Sequence, residues 1–114
     1  MVKVVLGYRV MPALTAEEYD RWLYEIHVPD LLLNPFLKKI VFNTVAETTL
    51  GDLDLYRISE LHYEDMEGYR NARAWGEANP VPDGRGPTGR SDFVFSVACD
   101  VVEIEAETYE RVAS

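Results

Sequence analysis

Cysteine and histidine are scarce in this sequence, and their scarcity limits the chemistry that it can support. Cys99 is the single cysteine, so an intramolecular disulfide and a thiolate metal cluster are both excluded. His27 and His62 are the two histidines, and Glu60 with His62 alone does not make a metal site. The sequence also lacks a phosphate-binding glycine loop and a nucleophile elbow. We therefore expect no metal and no cofactor.

The sequence also has few positively charged residues and no long apolar run. Eleven Lys plus Arg stand against twenty Asp plus Glu, which gives a net charge of -9. Such a surface repels phosphate backbones and anionic membranes, so nucleic acid is an unsuitable partner. The sequence has no run of about 20 apolar residues and no basic segment followed by an apolar core at its start. We expect no membrane association and a cytoplasmic location.

The residues that are present indicate one folded domain over 1–114. A chain of 114 residues with 47% apolar types is long enough for one core and too short for two. Apolar and β-branched residues over 2–10 predict a first strand. Thr15 and Glu18 have the spacing of a capping box, which predicts the start of an amphipathic helix. Pro29 disfavours helical geometry at the residue before it, so this helix should end or kink after His27.

The remaining patterns predict three more strands and a second helix. We expect strands over 39–45, 55–63 and 93–104, and a helix from Glu64 and Asp65 to about Ala78. The resulting order βαββαβ predicts an α+β, ferredoxin-like fold with a four-stranded antiparallel sheet. Right-handed crossovers would place both helices on one face of that sheet. Strand four alternates Phe93, Phe95 and Val97 with other apolar residues, so we expect a homodimer whose sheets pack face to face.

Residues 79–91 form a segment without helical or strand patterning. The segment holds three of the six prolines and three of the seven glycines. A connection of this length in a small domain is typical of a functional lid or of disorder. As a lid, it would place the guanidinium groups of Arg85 and Arg90 over a carboxylate or carbonyl of a ligand. A surface loop with solvated arginines is the alternative.

His27 and Glu60 are the candidate catalytic residues. An imidazole has an unperturbed pKa of about 6.5, which suits proton transfer at neutral pH, and a helix end could expose His27 to a cleft. Equally, His27 could complement the negative end of the helix. Glu60 lies in an apolar strand, where burial would raise its pKa unless Arg57 or a loop arginine compensated. It could act as a general base or face water on an edge strand.

Aromatic side chains supply the candidate substrate-binding residues. Tyr8 and Tyr56 could offer hydroxyl groups to a pocket, and Trp22 and Trp75 could form flat walls for an aromatic ligand. His62 points to the same side of its strand as Glu60. Aromatic residues at such spacing also occur simply as core.

In topology, nearly the whole chain resembles the dimeric α/β-barrel superfamily, particularly its EthD-like and polyketide-cyclase branches. The resemblance rests on Tyr8-Arg9, the helix opening at 15–19, the step from His27 to Pro29, and Asn34-Pro35. In the second half, the segments 56–63 and 79–95 resemble the RedY-like proteins of prodiginine and bisindole pathways.

This resemblance implies a function. Members of the wider superfamily work without metal or organic cofactor and use a histidine in a pocket between helices and sheet. By resemblance, His27 takes the acid/base role in an enzyme of bacterial natural-product biosynthesis. Its expected reaction is cyclisation, dehydration or isomerisation of an indole, pyrrole or polyketide intermediate. The alternatives are a non-catalytic small-molecule binding protein and a cofactor-free or haem-degrading monooxygenase on the same fold.

Overall fold

A computed structural model of the protein describes residues 1–110. Its strands are β1 (Val2–Val10), β2 (Lys39–Thr44), β3 (Arg57–Tyr63) and β4 (Ser91–Asp100). They form one antiparallel sheet in the order β2-β3-β1-β4. The helices are α1 (Ala16–Trp22), α2 (Val28–Leu31) and α3 (Met66–Ala78), with a π-helical turn at Leu23–His27 joining the first two. This arrangement confirms the predicted α+β, ferredoxin-like fold.

The helix that begins after Thr15 is capped as predicted but does not break at Pro29. Thr15 Oγ1 accepts the Glu18 amide at 3.1 Å, and the Glu18 carboxylate accepts the Thr15 amide at 3.0 Å. The chain then passes through the π-helical turn into α2, where Pro29 occupies the first turn. A proline is tolerated there because first-turn amides need no partner within the helix. Where the sequence predicts an end or a kink, the helix instead changes type. His27 lies at the junction between the π-helical turn and α2.

A β-bulge in β4 corrects the predicted alternation along that strand. Gly7 pairs with Phe95, whereas the next residue, Tyr8, pairs with Phe93, so Val94 is an extra residue. The bulge places Phe93 on the helix side of the sheet, edge-on to the Tyr8 ring at 5.9 Å. Phe95 and Val97 point to the opposite side. The strand also ends at Asp100 and not at residue 104.

The helices cover one face of the sheet with an aromatic core. Tyr8, Tyr19, Trp22 and Leu23 are buried together where the first helical segment meets the sheet. Val4, Tyr63 and Ala72 form a second cluster under α3. Asp65 caps α3 by accepting the Gly68 amide at 2.7 Å, as its position before the helix predicts.

The opposite face of the sheet, called here the open face, is mixed in character and not uniformly apolar. Successive side chains of a strand point to opposite faces of the sheet. Because Ser59 contacts Tyr8 on the helix side, Glu60 points to the open face, together with Ile58 and His62. The Glu60 carboxylate accepts hydrogen bonds from Lys3 at 2.9 Å, from Asn43 at 2.8 Å and from His62 at 3.0 Å. The Lys3 ammonium, Asn43 and His62 hold the pKa of Glu60 at about 2, so this carboxylate is ionised.

Arg57 pairs with α1 and not with Glu60, which corrects the predicted partner. Its guanidinium donates to Asp20 Oδ1 at 2.9 Å and lies 4.6 Å from the centre of the Tyr56 ring. The Arg57 side chain is 4% exposed, and that of Asp20 is 31% exposed. Asp20 therefore supplies the counter-charge for a buried cation and ties α1 to β3.

Replacing Asp20 by asparagine should destabilise the fold, because Arg57 would keep its charge without a counter-ion. Removing one partner of a buried pair costs several kcal/mol, and the partial exposure of Asp20 reduces the expected loss of unfolding free energy to about 2 kcal/mol. Urea unfolding measures this loss, with the exposed Glu17→Gln on the same helix as the matched control. Equal midpoints for the two variants would contradict the assignment.

Candidate functional site

A cavity of about 250 Å³ lies between the first helical segment and the sheet. This space, called here the inner cavity, is walled mainly by leucine and phenylalanine side chains from both layers. Six polar residues complete its lining: Tyr8, Tyr19, His27, Ser59, Ser91 and Ser96. An apolar space with a few convergent polar groups is the usual form of a small-molecule site.

Two pairs of hydroxyl groups stand in the wall of the inner cavity. Tyr8 Oη lies 3.0 Å from Ser59 Oγ, and Tyr19 Oη lies 2.7 Å from Ser91 Oγ. Burial raises the pKa of the Tyr19 phenol well above its usual value, so the hydroxyl keeps its proton at neutral pH. These pairs are neutral hydrogen-bonding groups that can donate to an oxygen atom of a ligand.

His27 lines the inner cavity from the end of the π-helical turn. Its ring stacks on Trp22, with 4.7 Å between ring centres and an interplanar angle of 18°. Its Nδ1 atom is buried and has no hydrogen-bond partner among the described residues. Burial lowers the pKa of His27 below its ordinary value, and the nearby Asp30 opposes this shift only in part. The imidazole is therefore neutral at pH 7 and able to accept a proton.

The segment 79–91 packs against the helices through its arginines. The Arg85 guanidinium donates to both carboxylate oxygens of Asp30, at 3.0 and 2.8 Å, and the Arg85 carbonyl accepts the Trp22 indole N–H at 2.9 Å. Arg90 donates to the Gly86 carbonyl and lies 5.2 Å from the Trp22 ring centre. The carboxylate that Arg85 binds thus belongs to the protein itself. Neither guanidinium lines the inner cavity.

The structure brings together only some of the predicted site residues. Tyr8 and His27 both line the inner cavity, and the Trp22 ring stacks on the His27 ring. Tyr56 instead donates its hydroxyl to Asp20 at 2.8 Å. Trp75 lies on a separate groove outside the cavity.

Glu60 and His62 do not meet His27, because the sheet separates them. Both belong to the open face, where Glu60 is bound by Lys3 and Asn43. A carboxylate with a pKa near 2 is also a weak base. The predicted cooperation of Glu60 with His27 is therefore not supported by the geometry.

Sequence reasoning missed Tyr19, Ser59 and Ser91. Tyr19 falls on the apolar face of an amphipathic helix, where an aromatic residue is typical of core, and the serines carry no motif. A small polar residue on the helix side of an apolar strand, such as Ser59, is a signal that could have identified one pair. Ser91 depends on a contact with Tyr19 across 72 residues of sequence, which no local pattern shows.

No three side chains of histidine, cysteine, aspartate or glutamate come together at metal-binding range within residues 1–110. In the same part of the chain, every helix is too short or too polar to cross a bilayer.

Acidification should destabilise the folded protein through His27. Because the folded-state pKa of His27 is lowered, the unfolded chain binds the proton first as pH falls through about 6.5. The contribution to stability is present above that pH and decreases progressively below it. Between about pH 7.5 and pH 5, the wild type should therefore lose more unfolding free energy than His27→Gln, as measured by urea titration at each pH. Parallel pH profiles for the two proteins would show that His27 is not desolvated.

The sequence matches no protein-family model and no curated protein. Solved structures are similar over nearly the whole chain. HapK from Hahella chejuensis has a TM-score of 0.60 and 8% identity, covering 100% of both chains. An ethyl tert-butyl ether D (EthD) family protein from Bacillus halodurans has a TM-score of 0.60 and 17% identity, covering 90% of this chain and 99% of its own.

A third similar structure, the Arabidopsis thaliana protein At3g17210, has a TM-score of 0.62 and 14% identity, covering 93% of this chain and 98% of its own. None of the three bears on the resemblance to RedY-like proteins, which stays a prediction. At these identities the similarity concerns the fold. The chain has the ferredoxin-like fold found in HapK and in an EthD-family protein, as the sequence resemblance implied.

Proposed function

We propose that the protein is a cofactor-independent enzyme that moves a proton on a small aromatic substrate held in the inner cavity. The observation that carries this proposal is His27, a half-buried imidazole that burial keeps neutral at pH 7. It lines an apolar cavity beside two neutral hydroxyl pairs. Acid/base catalysis needs a positioned base and nearby hydrogen-bond donors, and this apolar site offers both.

The chemistry follows from the protonation states of these groups. An imidazole nitrogen of His27 accepts a proton from an acidic C–H, N–H or O–H bond of the substrate. The bonding electrons move toward a carbonyl oxygen, and a hydroxyl of the Tyr19–Ser91 pair donates a hydrogen bond to the negative charge that develops there. His27 then returns the proton to another atom of the substrate.

The site of proton return decides the product. Return to a second carbon gives an isomer, and return to a departing hydroxide gives water and a dehydrated product. Attack of the electron-rich carbon on a carbonyl of the same substrate closes a ring, and His27 protonates the new alkoxide. An apolar cavity favours such reactions by holding the substrate in a folded shape and excluding water. On the strength of the resemblance, we place the reaction in natural-product biosynthesis.

Proton abstraction can be tested with 5-nitrobenzisoxazole, a small aromatic probe whose ring opens when a base removes its C–H proton. We expect the wild type to open the probe, and His27→Phe to be slower by roughly a hundredfold, the usual contribution of a positioned base. The exposed Glu25→Gln on the same helical segment is the control and should match the wild type.

The outcomes separate the candidate functions. Equal rates for wild type and His27→Phe would overturn the proposed base. If the wild type binds the probe but opens it no faster than free imidazole does, the protein is a binding protein and not this enzyme. Unfolding curves for each variant show whether a lost rate reflects a lost fold.

We propose further that a second copy of the chain covers the open face. Val97 on this face is 49% exposed, and Phe95 and Ile58 are partly exposed beside it. Lys3 and Glu60 lie next to each other there, so a two-fold axis could place each of these charges opposite its complement in the other copy. The surface therefore combines apolar area with self-complementary charge.

Light scattering after size exclusion should give twice the chain mass of 13.0 kDa. Val97→Glu should shift the protein toward the monomer, because it would bury a like charge beside its own symmetry mate. Leu50→Glu is the control, since Leu50 is 92% exposed in the loop before β3. A wild-type monomer at micromolar concentration would contradict the homodimer.

A further inference from the structure

Asp30 is a carboxylate whose charge acts on the candidate base. It follows His27 by three residues, a spacing that puts two helical residues on the same face. Both residues line the groove outside the cavity. The Asp30 charge raises the pKa of His27 and so works against the burial that lowers it. Left unopposed, this carboxylate would favour the imidazolium, which cannot accept a proton from a substrate.

The guanidinium of Arg85 opposes the Asp30 charge at short range. Its Nε atom donates to Asp30 Oδ2 at 3.0 Å and its Nη2 atom donates to Oδ1 at 2.8 Å, which is the forked geometry of a strong pair. The Asp30 side chain is 13% exposed, so water screens its charge only weakly. The net charge of -9 also favours a protonated imidazole. A local cation is therefore needed to keep His27 neutral.

Within residues 1–110, Asp30 is the one charged side chain that lines either space beside His27. The sheet and α1 contribute apolar side chains and the hydroxyl groups of serine and tyrosine to the inner cavity. The helix α3 contributes Trp75 and small or uncharged residues to the groove. Arg90, the other arginine of segment 79–91, binds the Gly86 carbonyl and not a carboxylate. The electrostatic environment of His27 thus reduces to Asp30 and the partner of Asp30.

The backbone of segment 79–91 holds Arg85 in place for this pair. The Arg85 amide donates to the Pro82 carbonyl at 3.2 Å, which closes a turn. Gly84 in that turn has a φ of +84°, a left-handed conformation that glycine adopts without strain. The Arg85 carbonyl then accepts the Trp22 indole N–H at 2.9 Å. The proline and glycine residues of the segment therefore serve to present one guanidinium to Asp30.

We propose that Arg85 is a positioning residue for the proton transfer: by binding Asp30, its guanidinium cancels the carboxylate charge and leaves the His27 imidazole able to accept the proton of the substrate. This inference rests on the proposed function and adds to it a residue that does not line the inner cavity. Arg85 acts through Asp30 on the protonation of His27. An arginine that only anchored the loop would differ in one respect. Its loss would hydrate His27, and hydration returns the pKa to its ordinary value but not beyond it.

NMR titration of the histidine ring signals tests the proposal in the folded protein. The chain has two histidines, so His27→Gln identifies the signal of His27. We expect the His27 titration midpoint to lie below about 6.5 in the wild type and above it in Arg85→Gln, because the Asp30 charge is then unopposed. Glutamine still offers hydrogen-bond donors to the carboxylate, but it carries no charge.

Substitutions of Asp30 separate charge from loop structure. Asp30→Asn alone should lower the His27 midpoint below that of the wild type, because the Arg85 charge then acts without its partner. A loop that was merely loosened would raise the midpoint instead. Combining Asp30→Asn with Arg85→Gln removes both charges and should bring the midpoint back to about 6.5 or below.

Two further variants serve as controls. Arg85→Lys keeps the positive charge and should keep the midpoint close to that of the wild type. Arg70→Gln removes a charge of the same sign from an exposed position on α3 and should not move the midpoint. The opening of 5-nitrobenzisoxazole should follow the same order, so Arg85→Gln should need a higher pH than the wild type to reach half of its maximal rate.

The outcomes distinguish this inference from the proposed function. The role of Arg85 is wrong if the Arg85→Gln midpoint stays at or below 6.5, or if Asp30→Asn raises the midpoint. In either case the proposed function stands as long as the wild type opens the probe. If the wild type does not open the probe, the proposed function fails, and the role of Arg85 in proton transfer fails with it whatever the midpoints are.

Discussion

The stack of His27 on Trp22 is the interaction on which the candidate site depends. It shields one face of the imidazole from water, and burial lowers the pKa of His27, so the ring is neutral at pH 7. The carbonyl of Arg85 accepts a hydrogen bond from the Trp22 indole, and the guanidinium of the same residue binds Asp30, just beyond His27 in the chain. Loop, helix and candidate base therefore form one connected unit. Loss of any part would admit water to the ring and let the pKa of His27 rise toward its ordinary value.

The sheet divides the molecule into two chemical surfaces. On the helix side, aromatic rings and serine hydroxyls surround an apolar cavity. On the open face, Glu60 is ionised and bound to Lys3, and its lowered pKa makes it a weak base. Strand alternation enforces this division, because adjacent residues of one strand cannot share a face. Ser59 and Glu60 show the rule directly.

The helical segment gives the site its shape as well as its base. A π-helical turn keeps Leu23 in the core and places His27 in the wall of the inner cavity. The turn ends just before Pro29, whose missing amide proton is accommodated in the first turn of α2. Irregular helical geometry of this kind often marks functional positions. Here it places one titratable group in the lining of an apolar cavity.

Local patterns in the sequence determined the capping box at Thr15, strand β1, helix α3 and the order of elements, because each depends on residues close together in the chain. They also singled out His27, since an imidazole beside a proline step is visible in the sequence itself. Only the tertiary structure decided which groups surround it. The contact of Tyr19 with Ser91 spans 72 residues and that of Trp22 with Arg85 spans 63, and the bulge at Val94 changes which phenylalanine faces the cavity. Such pairings arise when distant segments pack together, and the energy that selects them lies in the packed core.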